Sequence, residues 1–110
     1  QTGDLVLCEV AKTMRTRLRP TDFIARYGGE EFVLIFPRTS IAGAAIAAER
    51  QREAVRVTVL KMRDDTQIPC ATVSIGLAEL QPGQDAARLI QNADAALYRA
   101  KHKGRNRVES

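Results

Sequence analysis

Apolar residues recur along the chain with two different periods, and the switches between them divide it into elements. From Leu5 to Leu18, residues Leu7, Ala11, Met14 and Leu18 fall at helical spacing with Val6 and Val10 alongside, while Lys12, Arg15 and Arg17 take the other side. This pattern predicts an amphipathic helix, entered at Asp4 as N-cap and ended by Pro20, which lacks the amide hydrogen a continuing helix needs. Phe23 to Tyr27 alternates Phe, Ala and Tyr against Ile and Arg, as a strand does. Gly28-Gly29 follows, and Glu30 to Phe36 reads as the next strand, closed by Pro37. Strand-like runs joined by Gly-Gly predict a tight β-hairpin, because the turns that suit strand twist need positive φ at their centre. Phe32 to Phe36 is apolar at every position, which predicts a central strand covered on both faces.

Ser40 to about Lys61 predicts a long Ala-rich helix, with Ile41, Ala45, Ala48, Val55 and Val59 near one stripe. Asp64 to Pro69 reads as a polar loop. Thr72 to Leu80 alternates Val73, Ile75 and Leu77 against Thr72, Ser74 and Gly76, which predicts a strand. Asp85 to Lys103 is the last helix, turning Leu89, Ala93, Leu97 and Ala100 inward, with Gly104 as its stop. Helix, hairpin, helix, strand, helix is the order of an α/β or α+β sandwich with one sheet.

Composition narrows this picture. At 110 residues and 45% hydrophobic content, residues 1–110 form at most one domain around one core. A net charge of +4 and a pI near 9.5 favour anionic partners, without separating nucleotide, nucleic acid and acidic protein. Cys8 and Cys70 have no zinc or disulfide spacing, so they read as small apolar residues of a reducing compartment. No apolar run reaches membrane-spanning length and no signal peptide opens the chain, so this segment is expected to be cytoplasmic.

The chemistry concentrates at Gly28-Gly29-Glu30-Glu31. Glycines at a hairpin tip let an anionic oxygen approach backbone amides with no Cβ in the way. A carboxylate beside bound phosphate repels it unless a divalent cation bridges the two, and Mg²⁺ is commonly held by one or two carboxylates plus phosphates. Such spacing suits a phosphoryl-transfer half-site, although Gly-Gly hairpins also arise for structural reasons alone.

Four ordered blocks resemble the diguanylate cyclase (GGDEF) domain family. Arg26-Tyr27-Gly28-Gly29-Glu30-Glu31-Phe32 is similar to its signature hairpin, with glutamate at the third signature position. Gly3-Asp4-Leu5-Val6-Leu7 resembles an upstream helix start, and Val73-Ser74-Ile75-Gly76 resembles a later strand. Ala93 to Lys101, followed by Gly104-Arg105-Asn106, resembles the family's C-terminal block. The resemblance implies a nucleotidyl-cyclase, ferredoxin-like α+β fold with one mainly antiparallel sheet. It further implies condensation of two GTP molecules into cyclic di-GMP plus pyrophosphate, by a homodimer that brings one GTP per copy. Glu30 would be the catalytic metal ligand for Mg²⁺ or Mn²⁺, with Glu31 in support. Gly28, Gly29, Lys101 and Arg105 would hold substrate phosphates. For the basic run after Lys101, the alternative is a solvated helix end that complements the helix dipole. His102 is expected at the surface, and Asp94 and Tyr98 in helix-face packing.

Arg19-Pro20-Thr21-Asp22 is similar to the family's RxxD inhibitory site, where cyclic di-GMP, the product, binds; Arg50 matches a further arginine of that site. An ordinary turn with an Arg19–Asp22 ion pair is the alternative. The family's opening strand and helix, with an aspartate metal ligand and guanine-reading side chains, have no counterpart here. The chain is therefore expected to be a partial GGDEF domain, inactive alone and with two exposed sheet edges, the cytoplasmic part of a larger signalling protein with or without a membrane anchor. A non-catalytic cyclic di-GMP receptor is the other function compatible with these residues; a nucleic-acid binder has only the net charge in its favour.

Overall fold

The first apolar stripe folds as helix α1, Thr2–Thr16, which buries Val10 and Met14 and packs Val6 against the same core. The structure is a computed structural model that describes residues 2–28 and 31–110. Asp4 lies within α1 instead of capping it, because the helix already starts at Thr2. At the other end the helix stops at Thr16, short of Leu18. The amides of Arg17 and Leu18 fold back onto the carbonyls of Met14 and Arg15, both at 3.2 Å, which tightens the last turn before Pro20.

Strands β1, Phe23–Gly28, and β2, Glu31–Ile35, form the expected antiparallel hairpin. Phe23 faces Ile35, Ile24 faces Leu34, and the register shifts between Arg26 and Gly28, so that Gly28 pairs with Glu31. The irregularity around Tyr27 takes up one residue; Gly28 is therefore strand, whereas Gly29 and Glu30 lie outside the described residues. Only one face of the hairpin is covered. Ile24, Phe32 and Leu34 lean on the core, while Phe23 and Ile35 on the opposite face are 62% and 53% exposed. The expectation that Phe32 to Phe36 is covered on both faces fails because, among the described residues, no second layer covers Phe23 and Ile35.

Helix α2, Ile41–Arg56, starts where Ser40 accepts a hydrogen bond from the Gly43 amide at 3.1 Å. It ends five residues before Lys61. Val57, Thr58 and Val59 are β-branched and disfavoured in a helix, and the Thr58 hydroxyl closes on the Ala54 carbonyl at 2.6 Å. The chain then enters β3, Val59–Lys61, which pairs antiparallel with β4, Gln67–Pro69. The polar loop expected at Asp64–Pro69 is thus half strand. Its turn is made by Asp64, whose carboxylate accepts from the Thr66 amide, and by Asp65 at φ 68°. The buried stripe of α2 is Ala44, Ala48, Gln51, Ala54 and Val55, so Ala45 and Val59 do not belong to it.

Of the strand expected over Thr72–Leu80, only β5, Ile75–Gly76, is formed, because its partner is short. That partner is β6, Val108–Glu109, which runs parallel to β5 and was too brief to show a period. Helix α3, Ala86–His102, is capped by Asp85, which accepts from the Arg88 amide at 2.9 Å, and buries Ala96 and Ala100. The strands pair as three two-stranded ladders in place of one sheet, β1–β2 and β3–β4 antiparallel and β5–β6 parallel, with no bridging strand among the described residues. The α+β class stands. Val10, Met14, Val55, Leu60 and Cys70 make the main core, with Cys70 a buried free thiol and Cys8 an exposed one. No helix among the described residues is long and apolar enough to cross a membrane.

Gly76 is the point where β5 meets α3. A Cβ there would stand 2.7 Å from the Leu97 Cα and would also overlap the Leu97 nitrogen and the Ala93 oxygen, all backbone atoms that cannot swing aside. Gly76→Ala is expected to lower stability in urea unfolding by about 1–3 kcal/mol or more, as overpacking does. Gly3→Ala, where a Cβ meets nothing within 4 Å in a helix, should leave stability unchanged or slightly higher. Equal stability of the Gly76 variant would show that β5 and α3 are not held in this close approach.

Candidate functional site

Three clusters carry the predicted chemistry. At the hairpin, antiparallel pairing brings Gly28 opposite Glu31; Gly29 and Glu30 fall outside the described residues. Among the described residues no group of three or more His, Cys, Asp or Glu side chains could hold a metal ion. The divalent-cation assignment therefore rests on Glu30 itself and not on a ligand cluster within the described residues.

The second cluster is the turn that follows α3. The Lys103 amide donates to the Arg99 carbonyl and the Arg105 amide to the Ala100 carbonyl, each at 2.9 Å, around Gly104 at φ 121°. This is the glycine-ended helix stop the sequence predicts. Arg105 and Asn106 continue in the left-handed region, at φ 64° and 47°. Two successive non-glycine residues there are unusual, and the surrounding contacts must hold them. Lys101 is half-buried on the last turn of α3, and Arg105 is exposed four residues on. The Arg105 side chain makes no hydrogen bond or ion pair with the described residues, so its guanidinium is available to an anion. His102 is exposed and stacks on Tyr98, with ring centroids 3.9 Å apart, while Asp94 is exposed.

The third cluster, Arg19 and Asp22, is closed on itself. The Arg19 guanidinium reaches Asp22 Oδ1 at 2.8 Å through Nη2 and Oδ2 at 3.1 Å through Nε, and the Arg19 amide donates to Oδ2 at 2.9 Å. Nη2 also donates to the Thr39 hydroxyl at 2.8 Å. The Asp22 side chain is only 3% exposed, whereas Arg19 is 55% exposed. The hydrogen bonds from Arg19 hold the Asp22 carboxyl below its ordinary range, against the opposing effect of desolvation. Arg50 is exposed on α2 and makes no hydrogen bond or ion pair to either residue.

Residues 1–107 match the family described as diguanylate cyclase, GGDEF domain. The chain belongs to that family. This GGDEF chain is 44% identical over 106 residues to diguanylate cyclase DgcM of Escherichia coli K12, covering 96% of this chain and 25% of DgcM. It thus spans about a quarter of that relative's length. Its fold is similar to the crystal structure of the GGDEF domain of DgcB from Caulobacter crescentus in complex with c-di-GMP. The TM-score is 0.90 at 43% identity, over 99% of this chain and 64% of that one. It is also similar to diguanylate cyclase SiaD of Pseudomonas aeruginosa, solved in complex with its activator SiaC. There the TM-score is 0.87 at 36% identity, covering 96% of this chain and 40% of that one. These likenesses agree with the nucleotidyl-cyclase fold expected from the four sequence blocks.

One feature of this GGDEF chain had no counterpart in the motif analysis. Arg52 on α2 donates through Nη1 to the Asn106 side-chain oxygen at 2.8 Å, across 54 residues of sequence. The same guanidinium pairs with Glu49, at 2.9 Å through Nε, and lies 3.4 Å from Glu53. Glu49 and Arg52 three apart announce a helix-surface pair; nothing local announces Asn106.

The Arg19–Asp22 clasp sets a pH dependence. A carboxyl whose folded pKa is depressed contributes stability above its unfolded pKa, near 4, and loses it as pH falls through the lower folded value. Thermal unfolding of the unmutated chain and Asp22→Asn should therefore differ most near neutrality, with the variant less stable. The gap should close below about pH 4. A gap that stays constant from pH 7 to 3 would mean that the ionised clasp adds nothing.

Proposed function

We propose that the protein is a diguanylate cyclase that condenses two GTP molecules into cyclic di-GMP with release of pyrophosphate. The supporting observation is the hairpin register, which pairs Gly28 with Glu31 in a chain matched over residues 1–107 by the diguanylate cyclase family and carrying the run Gly28-Gly29-Glu30-Glu31-Phe32. The backbone at Gly28 and Gly29 lets phosphate oxygens approach closely. Lys101 and Arg105, projecting from one helix end, clasp the triphosphate with charge-assisted hydrogen bonds. Glu31 supports the tip. Glu30 is the residue of this chain that would hold Mg²⁺ or Mn²⁺, which when bound neutralises charge on the transferring phosphate. The 3′-hydroxyl of each nucleotide loses its proton to solvent and attacks the α-phosphorus of the other, so that two P–O bonds form as two bonds to departing pyrophosphate break. Each site holds one nucleotide, so two copies must face each other for the reacting groups to meet.

Feedback by cyclic di-GMP at Arg19, Asp22 and Arg50 belongs to the same proposal. Arg19 is more than half exposed and presents a face to ligand, but its internal bonds to Asp22 and Thr39 must loosen or be shared when product docks. Arg19→Ala should weaken cyclic di-GMP binding about tenfold in calorimetry, the effect of losing one charge-assisted hydrogen bond. Initial turnover should stay near normal, since the substrate residues are untouched. Unchanged product affinity would leave Arg19 and Asp22 as a turn clasp only.

Glu30→Gln in the intact protein keeps shape but removes the charge a divalent cation requires. Synthesis of cyclic di-GMP should fall about a hundredfold or more while the circular dichroism spectrum is preserved. Near-normal turnover would refute the role of Glu30. An intact, unmutated protein that binds cyclic di-GMP yet leaves GTP unconverted would instead be a receptor.

A further inference from the structure

We infer that Arg52 is a positioning residue for substrate binding, acting through Asn106 on the Arg105 backbone. The inference rests on the phosphate-binding role proposed for Arg105. Arg52 is on α2, outside all four sequence blocks, and its side chain is only 14% exposed. Its Nη1 holds the Asn106 side-chain oxygen at 2.8 Å. From the other side the Asn106 amide donates to the Ser74 hydroxyl at 3.1 Å, next to β5. Asn106 is therefore pinned at both its side chain and its backbone, from two different elements.

The residue so pinned directly follows Arg105, and both have positive φ. A left-handed pair of non-glycine residues relaxes toward ordinary φ values unless neighbours over-determine it. Relaxation at Asn106 would rotate the preceding peptide and re-aim the Arg105 guanidinium. Arg105 is anchored through its own amide to Ala100 at 2.9 Å, but its side chain has no bond to the described residues. The direction of that side chain thus depends on the backbone, which Asn106 holds together with the Ala100 carbonyl and with Arg107, whose Nε donates to the Arg105 carbonyl at 3.4 Å. Glu49 and Glu53 keep the Arg52 fork oriented, so α2 supplies a braced donor rather than a freely rotating one. Arginine suits the task because one planar group serves the carboxylates and the amide together.

The alternative is that Arg52 merely ties down the chain end, in which case its loss would lower stability without a specific effect on nucleotide. The test uses the intact protein with GTP and Mg²⁺, and reads KM, kcat, equilibrium GTP affinity and melting temperature. Arg52→Leu should raise KM and weaken GTP affinity about three- to tenfold, the effect of one lost hydrogen bond transmitted to a charged contact. In an Arg105→Ala background the same substitution should change neither, because the side chain through which it acts is gone. Asn106→Gly removes the amide oxygen that Arg52 holds and leaves the backbone at this position as free to take negative φ as positive. It should reproduce the KM rise at near-normal melting temperature, even if Arg52→Leu folds poorly. A KM unmoved by both Arg52→Leu and Asn106→Gly, or a rise from Arg52→Leu undiminished in the Arg105→Ala background, overturns the inference while leaving the phosphate role of Arg105 intact. An Arg105→Ala protein with normal GTP affinity would overturn that role, and this inference with it.

Discussion

The contact of the Gly76 backbone with α3 at Ala93 and Leu97 governs the C-terminal half of the molecule. It lets a two-residue strand sit against the helix without intervening side chains, and so fixes how far α3 lies from β5. β6 is then held beside β5 by the Ile75 amide on the Arg107 carbonyl at 2.9 Å and the Leu77 amide on the Glu109 carbonyl at 2.8 Å. Between the end of α3 and β6 only a few residues remain, and they turn sharply enough to use φ values open to glycine and tolerated by asparagine. The exposed cation of Arg105 stands on that turn. A packing requirement at Gly76 thus bears on where Arg105, the proposed phosphate contact, stands beyond the end of α3.

Helix α2 joins this half to the other. Val55 is fully buried among residues of α1, β3 and the stretch after β4. Gln51, one turn earlier, donates from its side-chain nitrogen to the Met14 carbonyl near the end of α1, at 3.0 Å, while its buried Oε1 has no partner among the described residues. A polar residue in an apolar stripe is normally costly unless bonded; here one of its two ends adds a second bond to a carbonyl that also accepts from the Arg17 amide. The neighbouring Glu49, Arg52, Glu53 and Arg56 form a ladder of pairs, in which hydrogen bonds from the arginines depress the carboxyl pKa values of Glu49 and Glu53. Such surface pairs add little stability singly. Arg52 differs from the rest because it is mostly covered and also reaches Asn106.

Under the proposed function, Arg19 and Asp22 serve two purposes, as a turn clasp and as a product site. A buried carboxylate and a half-exposed guanidinium close a turn around Pro20 and fasten it to Thr39. The same planar donor fork and acceptor pair can meet a nucleotide's phosphate and guanine edge. Holding the pair together in the absence of ligand restricts the arginine and keeps the carboxylate charged, both of which favour later recognition of a polar ligand. On the same proposal, competition between internal and external partners tempers the affinity for product.

Elements whose information is local were legible in the sequence: the three helices from their apolar period, the hairpin from Gly28-Gly29, and the helix ends at Ser40, Asp85 and Gly104 from their caps. The family blocks lay in the same local runs, which is why the candidate phosphate residues Lys101 and Arg105 could be named before the fold was known. Contacts distant in sequence decided the rest. β3, β4 and β6 are two or three residues long, too short to display a period, and exist because a partner strand lies beside them; the alternation over Thr72–Leu80 announced β5 but not that only Ile75–Gly76 would pair. The end of α2 at Arg56 reflects pairing of Val59–Lys61 with Gln67–Pro69, which outweighs the helical reading of the same residues. The one-sided burial of Phe32 to Ile35 depends on which face another layer reaches, and an all-apolar run does not encode that. Arg52 meets Asn106 only because α2 and the end of α3 are brought together by the core. Local periodicity and capping chemistry wrote the elements into the sequence, while the long-range packing of those elements alone determined which side chains meet.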